Sequence, residues 1–190
     1  MVLSDGDIKK ALEKGDIKIT PAPNYEEQLG SCSIDLKLGN HFNLFNHSQH
    51  AYIDLRNGSF SSDEIMREVH IDDNEKFIMQ PGEFVLAVTK ECLELSSSLM
   101  GRIEGRSSLG RIGIIVHGTA SVFDPGWNGN PVLELGNLGN MPVALYPGMR
   151  ICSFTFEELS SPSENPYTKR KSSKYKFQDK PLASRIQSDT

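Results

Sequence analysis

Two turns of the same make, Gln80-Pro81-Gly82-Glu83 and Tyr146-Pro147-Gly148-Met149, constrain this chain more than any other feature. Proline presets φ and the glycine after it tolerates positive φ, so the backbone reverses at both places. Each turn opens into a short apolar β run, Phe84-Val85-Leu86-Ala87-Val88-Thr89 after the first and Arg150-Ile151-Cys152-Ser153-Phe154 after the second. The likeness hints at two related halves but is too weak for an internal repeat. Upstream, Ile34, Leu36 and Leu38 alternate with Ser33, Asp35 and Lys37, the period of a half-buried strand. Gly39-Asn40 reads as a turn, after which Phe42 and Leu44 begin another alternating segment.

A short strand through Ile17 and Ile19 stops at Thr20-Pro21-Ala22-Pro23, which continues neither a helix nor a central strand. Tyr52-Ile53-Asp54-Leu55 reads as a further strand, and Ser59 to Met66 as a short helix or an exposed loop. Ser4 to Gly15 is the best helix candidate. Ser4 can cap it, Asp7 holds the capping-box position, Ile8, Ala11 and Leu12 share a face, and Gly15 supplies the stop. Many short strands, regular turns and one early helix predict an all-β sandwich or barrel.

A chain of 190 residues fits one domain and buries a core without staples. Its 37% hydrophobic and 24% charged residues describe an ordinary globular protein. No apolar run approaches the ~20 residues that cross a bilayer, so no membrane partner is expected. The opening Met-Val-Leu-Ser-Asp-Gly-Asp lacks the pattern of a signal peptide. Cys32, Cys92 and Cys152 are odd in number and far apart, which suits a reducing, cytoplasmic location and disfavours a disulfide framework or structural zinc. All three are expected to be small buried residues. A net charge of −5 makes nucleic acid an unsuitable partner.

Charge is uneven, however. From Tyr167 to Thr190, Lys169, Arg170, Lys171, Lys174, Lys176, Lys180 and Arg185 outnumber Asp179 and Asp189. That tail, joined through the linker Ser160 to Pro166, is either a solvated end or a flap that captures a polyanion. The expected organisation is therefore one β domain over 1–166 and a basic tail over 167–190.

The chemistry concentrates between Gly101 and Asn137. Gly105-Arg106-Ser107-Ser108-Leu109-Gly110-Arg111 imitates the opening of a P-loop, but Arg111 stands for the lysine and Ile112 for the Ser/Thr that would hold magnesium. What survives is a tight loop with two guanidinium groups and two hydroxyls, an anion cradle. Asp124-Pro125-Gly126 is a turn in which Asp124 either holds its own backbone or serves a ligand. Trp127, the single tryptophan, belongs to the core or to an interface. Glu134 in Val132-Leu133-Glu134-Leu135 projects opposite Leu133 and Leu135. Facing solvent it is an ordinary strand acid; facing a pocket it suits proton transfer, and the local pattern does not decide.

Taken together these residues resemble the dCTP deaminase family. The similarity runs in order through Leu3 to Ile8, Cys32 to Gly39, Gly105 to Arg111, His117-Gly118-Thr119-Ala120, Asp124-Pro125-Gly126-Trp127, Val132-Leu133-Glu134 and Tyr146 to Met149. It continues into the tail with Pro166-Tyr167, Lys174-Tyr175 and Gln178. The resemblance implies a distorted jelly-roll β-barrel of the dUTPase-like type with a short N-terminal helix and a flexible C-terminal tail. It also implies a homotrimer with active sites between subunits, and hydrolytic conversion of dCTP to dUTP and ammonia for thymidylate supply. Carried over residue by residue, Glu134 is the proton shuttle, while Ser107, Arg111 and the carbonyl of Ala120 position the attacking water. Arg106, Ser108, Tyr167, Lys174 and Gln178 hold the triphosphate along the Leu109-Gly110 loop. Asp124, Val132, Leu133 and Glu134 meet sugar and base. Mg2+ is expected with the triphosphate, and dTTP is left open as an inhibitor.

The residues make that chemistry coherent. None of His41, His47, His50, His70 or His117 begins a His-x-Glu triplet and Cys-x-x-Cys is missing, so a zinc-activated water is not expected. A carboxylate must then take the proton of the water that attacks C4, deliver one to N3 and protonate the departing ammonia. Thr119-Ala120 is followed by Ser121, where bifunctional family members commonly carry glycine, so the chain looks closer to the deaminase-only branch. A bifunctional deaminase–diphosphatase giving dUMP and pyrophosphate is the enzymatic alternative; a silent nucleotide-binding regulatory trimer is the other. His117 is expected to be structural or conformational, and Pro131 to start a strand or lie at an edge.

Overall fold

The computed structural model describes residues 1–46, 53 and 65–186. Helix α1 (Asp5–Lys14) forms where its caps predict: Ser4 Oγ accepts from the Asp7 amide and Gly15 closes the C-terminus at φ 81°. Its Ile8 and Ala11 are buried. Strand β1 (Ile17–Thr20) follows, then a one-turn helix α2 (Tyr25–Gln28) capped by Asn24. The rest is antiparallel β structure, as expected: β2 (Ile34–Phe45), β3 (Met66–His70), β4 (Phe77–Met79), β5 (Phe84–Thr89), β6 (Cys92–Leu95), β7 (Leu99–Gly105), a one-turn helix α3 (Ser107–Gly110), β8 (Ile114–Ile115), β9 (Val122–Phe123), β10 (Asn128–Gly129), β11 (Val132–Asn137), β12 (Val143–Leu145) and β13 (Arg150–Glu158). The main sheet runs β8-β11-β5-β2-β13-β7-β9, with β3 also on β2, and curls as a distorted half-barrel; β1-β6-β10 and β12-β4 flank it.

Both Pro-Gly turns form, with Gly82 at φ 75° and Gly148 at φ 81°. The arms before the turns are paired with each other, β4 on β12, and the arms after them, β5 and β13, flank β2 on either side. One core of fully buried Ile, Leu and Phe side chains, including Leu36, Phe42, Leu133 and Phe154, fills the space between them. Pro131 stands immediately before β11, the starting position expected of it.

The turn expected at Gly39-Asn40 is not there. β2 runs through both residues as one strand, with a register shift against β5 between Leu38 and Phe42. A Cβ on Gly39 would lie 2.8 Å from the Val88 carbonyl oxygen, so glycine serves a close approach of two backbones. Cys152 is buried as expected and burial pushes its thiol up, but Cys92 is half-buried and Cys32 is exposed, in the bend before β2. Of the strand expected at 52–55 only Ile53 lies within the described residues, and of the stretch 59–66 only Ile65 and Met66, the latter opening β3.

Candidate active site

Strand β11 decides the direction of Glu134. Its alternation buries Leu133 and Leu135 in the core and turns Val132 and Glu134 to the other face, into a cavity of about 540 Å³. Beside it, the chain leaving β8 folds back over the carboxylate. The Glu134 amide donates to the Val116 carbonyl at 3.1 Å. Oε2 of Glu134 in turn accepts from the amides of Gly118 at 2.8 Å and Thr119 at 3.3 Å. The acid is thus held by two backbone donors next to Ala120, which lines the same cavity.

Asp124 and Trp127, from the segment Asp124–Gly129, form another part of the wall. Trp127 N donates to the Asp124 carbonyl at 3.0 Å, closing the expected turn, and Gly126 takes φ 76°. Trp127 is in the core, edge-on to Phe123, and its other side meets the Tyr167 ring with centroids 4.9 Å apart. Two glycines let the tail dock here. A Cβ on Gly126 would stand 2.5 Å from Pro166 Cβ, and one on Gly129 2.9 Å from the Gln178 carbonyl oxygen. Tyr167 N donates to the Pro125 carbonyl, and Gln178 exchanges bonds with Asn130. Tyr167 and Gln178 are consequently buried, and both line the cavity. The Tyr167 hydroxyl accepts from the Tyr175 amide at 3.1 Å; burial pushes its phenol up, so it keeps its proton to donate.

Ala120, Asp124, Val132, Glu134, Tyr167 and Gln178 are therefore together. The anion loop is not with them: Arg106, Ser107, Ser108, Leu109, Gly110 and Arg111 line no part of this cavity, nor do Leu133 and Lys174. Ser107 and Ser108 on α3 and Arg111 just after it are exposed, and the turn is anchored by buried Leu109, whose side chain is spent on the core. Arg106 is held by Asp35, with Nε 3.2 Å from Oδ2, and donates to the Arg150 carbonyl at 3.1 Å. Asp35 also meets Arg150 at 3.3 Å. Sequence reading missed Asp35 because it sits on the polar face of an alternating strand, with nothing local to mark its partner. Lys174 is half-buried in the tail, and its carbonyl accepts from Arg185.

His117 lines the cavity, and among the described residues neither of its ring nitrogens has a hydrogen-bond partner. Arg170, which sequence reading placed only within the basic tail, pairs with Asp124 at the cavity rim.

The family model for dCTP deaminase-like proteins matches residues 2–159. A protein of Thermomicrobium roseum named dCTP deaminase is 56% identical over 98% of the chain and 94% of its own length. One of Dictyoglomus thermophilum, named dCTP deaminase, dUMP-forming, is 49% identical over 100% of the chain and 96% of its length. Among solved structures, 2'-deoxycytidine 5'-triphosphate deaminase from Agrobacterium tumefaciens superposes with a TM-score of 0.63 at 19% identity over 83% of the chain. That likeness speaks for the fold, and the chain spans 48% of that longer protein.

Proposed function

The chain belongs to the dCTP deaminase-like family, and on that premise we propose that it hydrolyses dCTP to dUTP and ammonia with Glu134 as the proton carrier. The observation that carries this reading is the Glu134 carboxylate, aimed into the cavity and steadied by the Gly118 and Thr119 amides. Water enters beside the Ala120 carbonyl and gives its proton to Glu134 as oxygen attacks C4. Glu134 passes that proton to N3, then takes the proton of the hydroxyl now on C4 and hands it to the amino group as the C4–N bond breaks and C4=O forms, so that one water is consumed and one ammonia released. Val132 and Asp124 meet base and sugar, and the tail from Tyr167 onward closes over the nucleotide.

Ser107 and Arg111, assigned to the water, and Arg106 and Ser108, assigned to the triphosphate, come from a second copy in a homotrimer. Two features support that arrangement. The loop is exposed and stands away from its own cavity, and beside it Ile112, Leu138 and Met141 are 53%, 74% and 69% exposed. Apolar surface of that kind next to a polar loop suits burial against another subunit. Among the described residues no group of three His, Cys, Asp or Glu side chains could hold a metal ion, so Mg2+ is assigned to the triphosphate oxygens and water. Tyr167, Lys174 and Gln178 complete the triphosphate grip. A cytoplasmic location accords with three free cysteines.

Relatives carrying both names favour keeping the dUMP-forming reaction as a second reading. Product analysis after incubation with dCTP and magnesium separates the two. Equal amounts of dUTP and ammonia are expected; dUMP with pyrophosphate would establish the bifunctional reaction, and no ammonia at all would leave a nucleotide-binding trimer.

A further inference from the structure

The cavity rim carries an ion pair that none of these roles uses. Arg170 Nη2 lies 2.6 Å from Asp124 Oδ2. Its Nε donates to Ser173 Oγ at 3.2 Å, and the guanidinium carbon sits 5.5 Å from the centre of the Tyr167 ring. Arg170 is thus held on three sides, by its own tail, by an aromatic face and by a carboxylate of the cavity wall. The two side chains are 41% and 40% exposed, so as a plain surface pair they would add little to folding. Their position is the informative part. Asp124 has its backbone fixed by the turn to Trp127, and Arg170 fixes the remaining freedom, the rotation of its carboxyl group.

Arg170 takes Oδ2, and among the described residues no hydrogen bond engages Oδ1. A 2'-deoxynucleoside 5'-triphosphate has one free sugar hydroxyl, at C3'. We propose that Arg170 is a positioning residue for the sugar: it orients Asp124 so that Oδ1 accepts the 3'-hydroxyl of the nucleotide. Its Nη2 and Nε are engaged by Asp124 and Ser173, so it is assigned to act through that carboxylate. The inference rests on the placing of the nucleotide given above.

Paired kinetics with dCTP and 2',3'-dideoxy-CTP, which lacks that hydroxyl, test it in the intact protein. Arg170→Gln should lower kcat/KM for dCTP about tenfold, the worth of a hydrogen bond to a charged group. For the dideoxy analogue the loss should stay under about twofold, because the bond is not there to lose. Arg170→Lys should restore part of the discrimination, and Arg170→Gln should add little on top of Asp124→Asn. An equal loss for both nucleotides would place Arg170 on the phosphates or in the fold and overturn the proposal, as would no loss at all. Failure of the parent protein to deaminate dCTP would instead sink the reading on which the inference rests.

Discussion

Gly118 and Glu134 are fitted to one another: the Gly118 amide lies 2.8 Å from Glu134 Oε2, and a Cβ at 118 would stand 2.9 Å from that same oxygen. Outside residues 117–119, the next nearest described heavy atom to that Cβ is Glu134 Cδ at 4.0 Å. The Glu134 carboxylate rests where a side chain at 118 would be. Gly118→Ala should therefore push the carboxylate aside while the backbone stays as it is. Deamination is expected to fall about tenfold or more, since small misplacements of a reacting group are costly. The thermal midpoint should stay within about 2 °C of the parent, because the displaced atom ends a movable side chain. Steady-state kinetics beside a melting curve checks both.

Glu134→Gln retains the shape of the side chain and its ability to accept from Gly118, but cannot carry a proton. Nucleotide binding should persist while kcat falls by about 10³-fold. Titration calorimetry with dCTP and an ammonia-release assay measure the two halves. Turnover near that of the parent would remove Glu134 from its role.

Glu91 links pH to stability through a different part of the molecule. Its buried carboxylate accepts from Gln28 Nε2 at 3.0 Å and from the Lys37 amide at 2.8 Å, and burial pushes its pKa up. A carboxyl group whose pKa is raised on folding stabilises the fold fully only below its unfolded pKa, and that stabilisation is lost as pH rises through the folded value. The stability advantage of the parent over Glu91→Gln should hence be greatest below about pH 4.5 and shrink as pH rises toward neutrality. Urea unfolding of both proteins at several pH values, at one protein concentration, reads that difference.

Two truncations should separate the tail's work on the nucleotide from its work on the fold. Ending the chain after Arg170 removes Lys174 and Gln178 but leaves the Tyr167 ring on Trp127. dCTP affinity should drop about tenfold or more, with loss of charge-assisted contacts, while tryptophan emission stays near the parent's. Ending it before Tyr167 uncovers Trp127 as well, so emission should shift to longer wavelength and the thermal midpoint should fall.

The architecture was legible because its signals act over a few residues. Proline and glycine dictate the reversals at 80–83 and 146–149, Ser4 and Gly15 bracket α1, and a period of two marks Ile34 to Leu38 and Val132 to Leu135. That same period set Glu134 opposite the core. It did not say whether the opposite face met water or a cavity, because the answer depends on residues 116–119 folding over β11. Gly39 shows the limit of local reading: glycine there means turn by propensity, and only the Val88 carbonyl packed against it explains a strand that runs straight on.

Pairings across the chain belong to the tertiary structure alone. Arg106 reaches Asp35, and Arg170 reaches Asp124, between segments with no periodic or compositional link. Sequence by itself determined the β fold and the face of β11 on which Glu134 stands, since backbone sterics and side-chain alternation are properties of neighbours. The tertiary structure decided that Glu134, Asp124 and the tail share one cavity and that the Ser107–Arg111 loop stands outside it. Those relations arise from which surfaces pack together once the core has closed, and packing is a property of the whole chain.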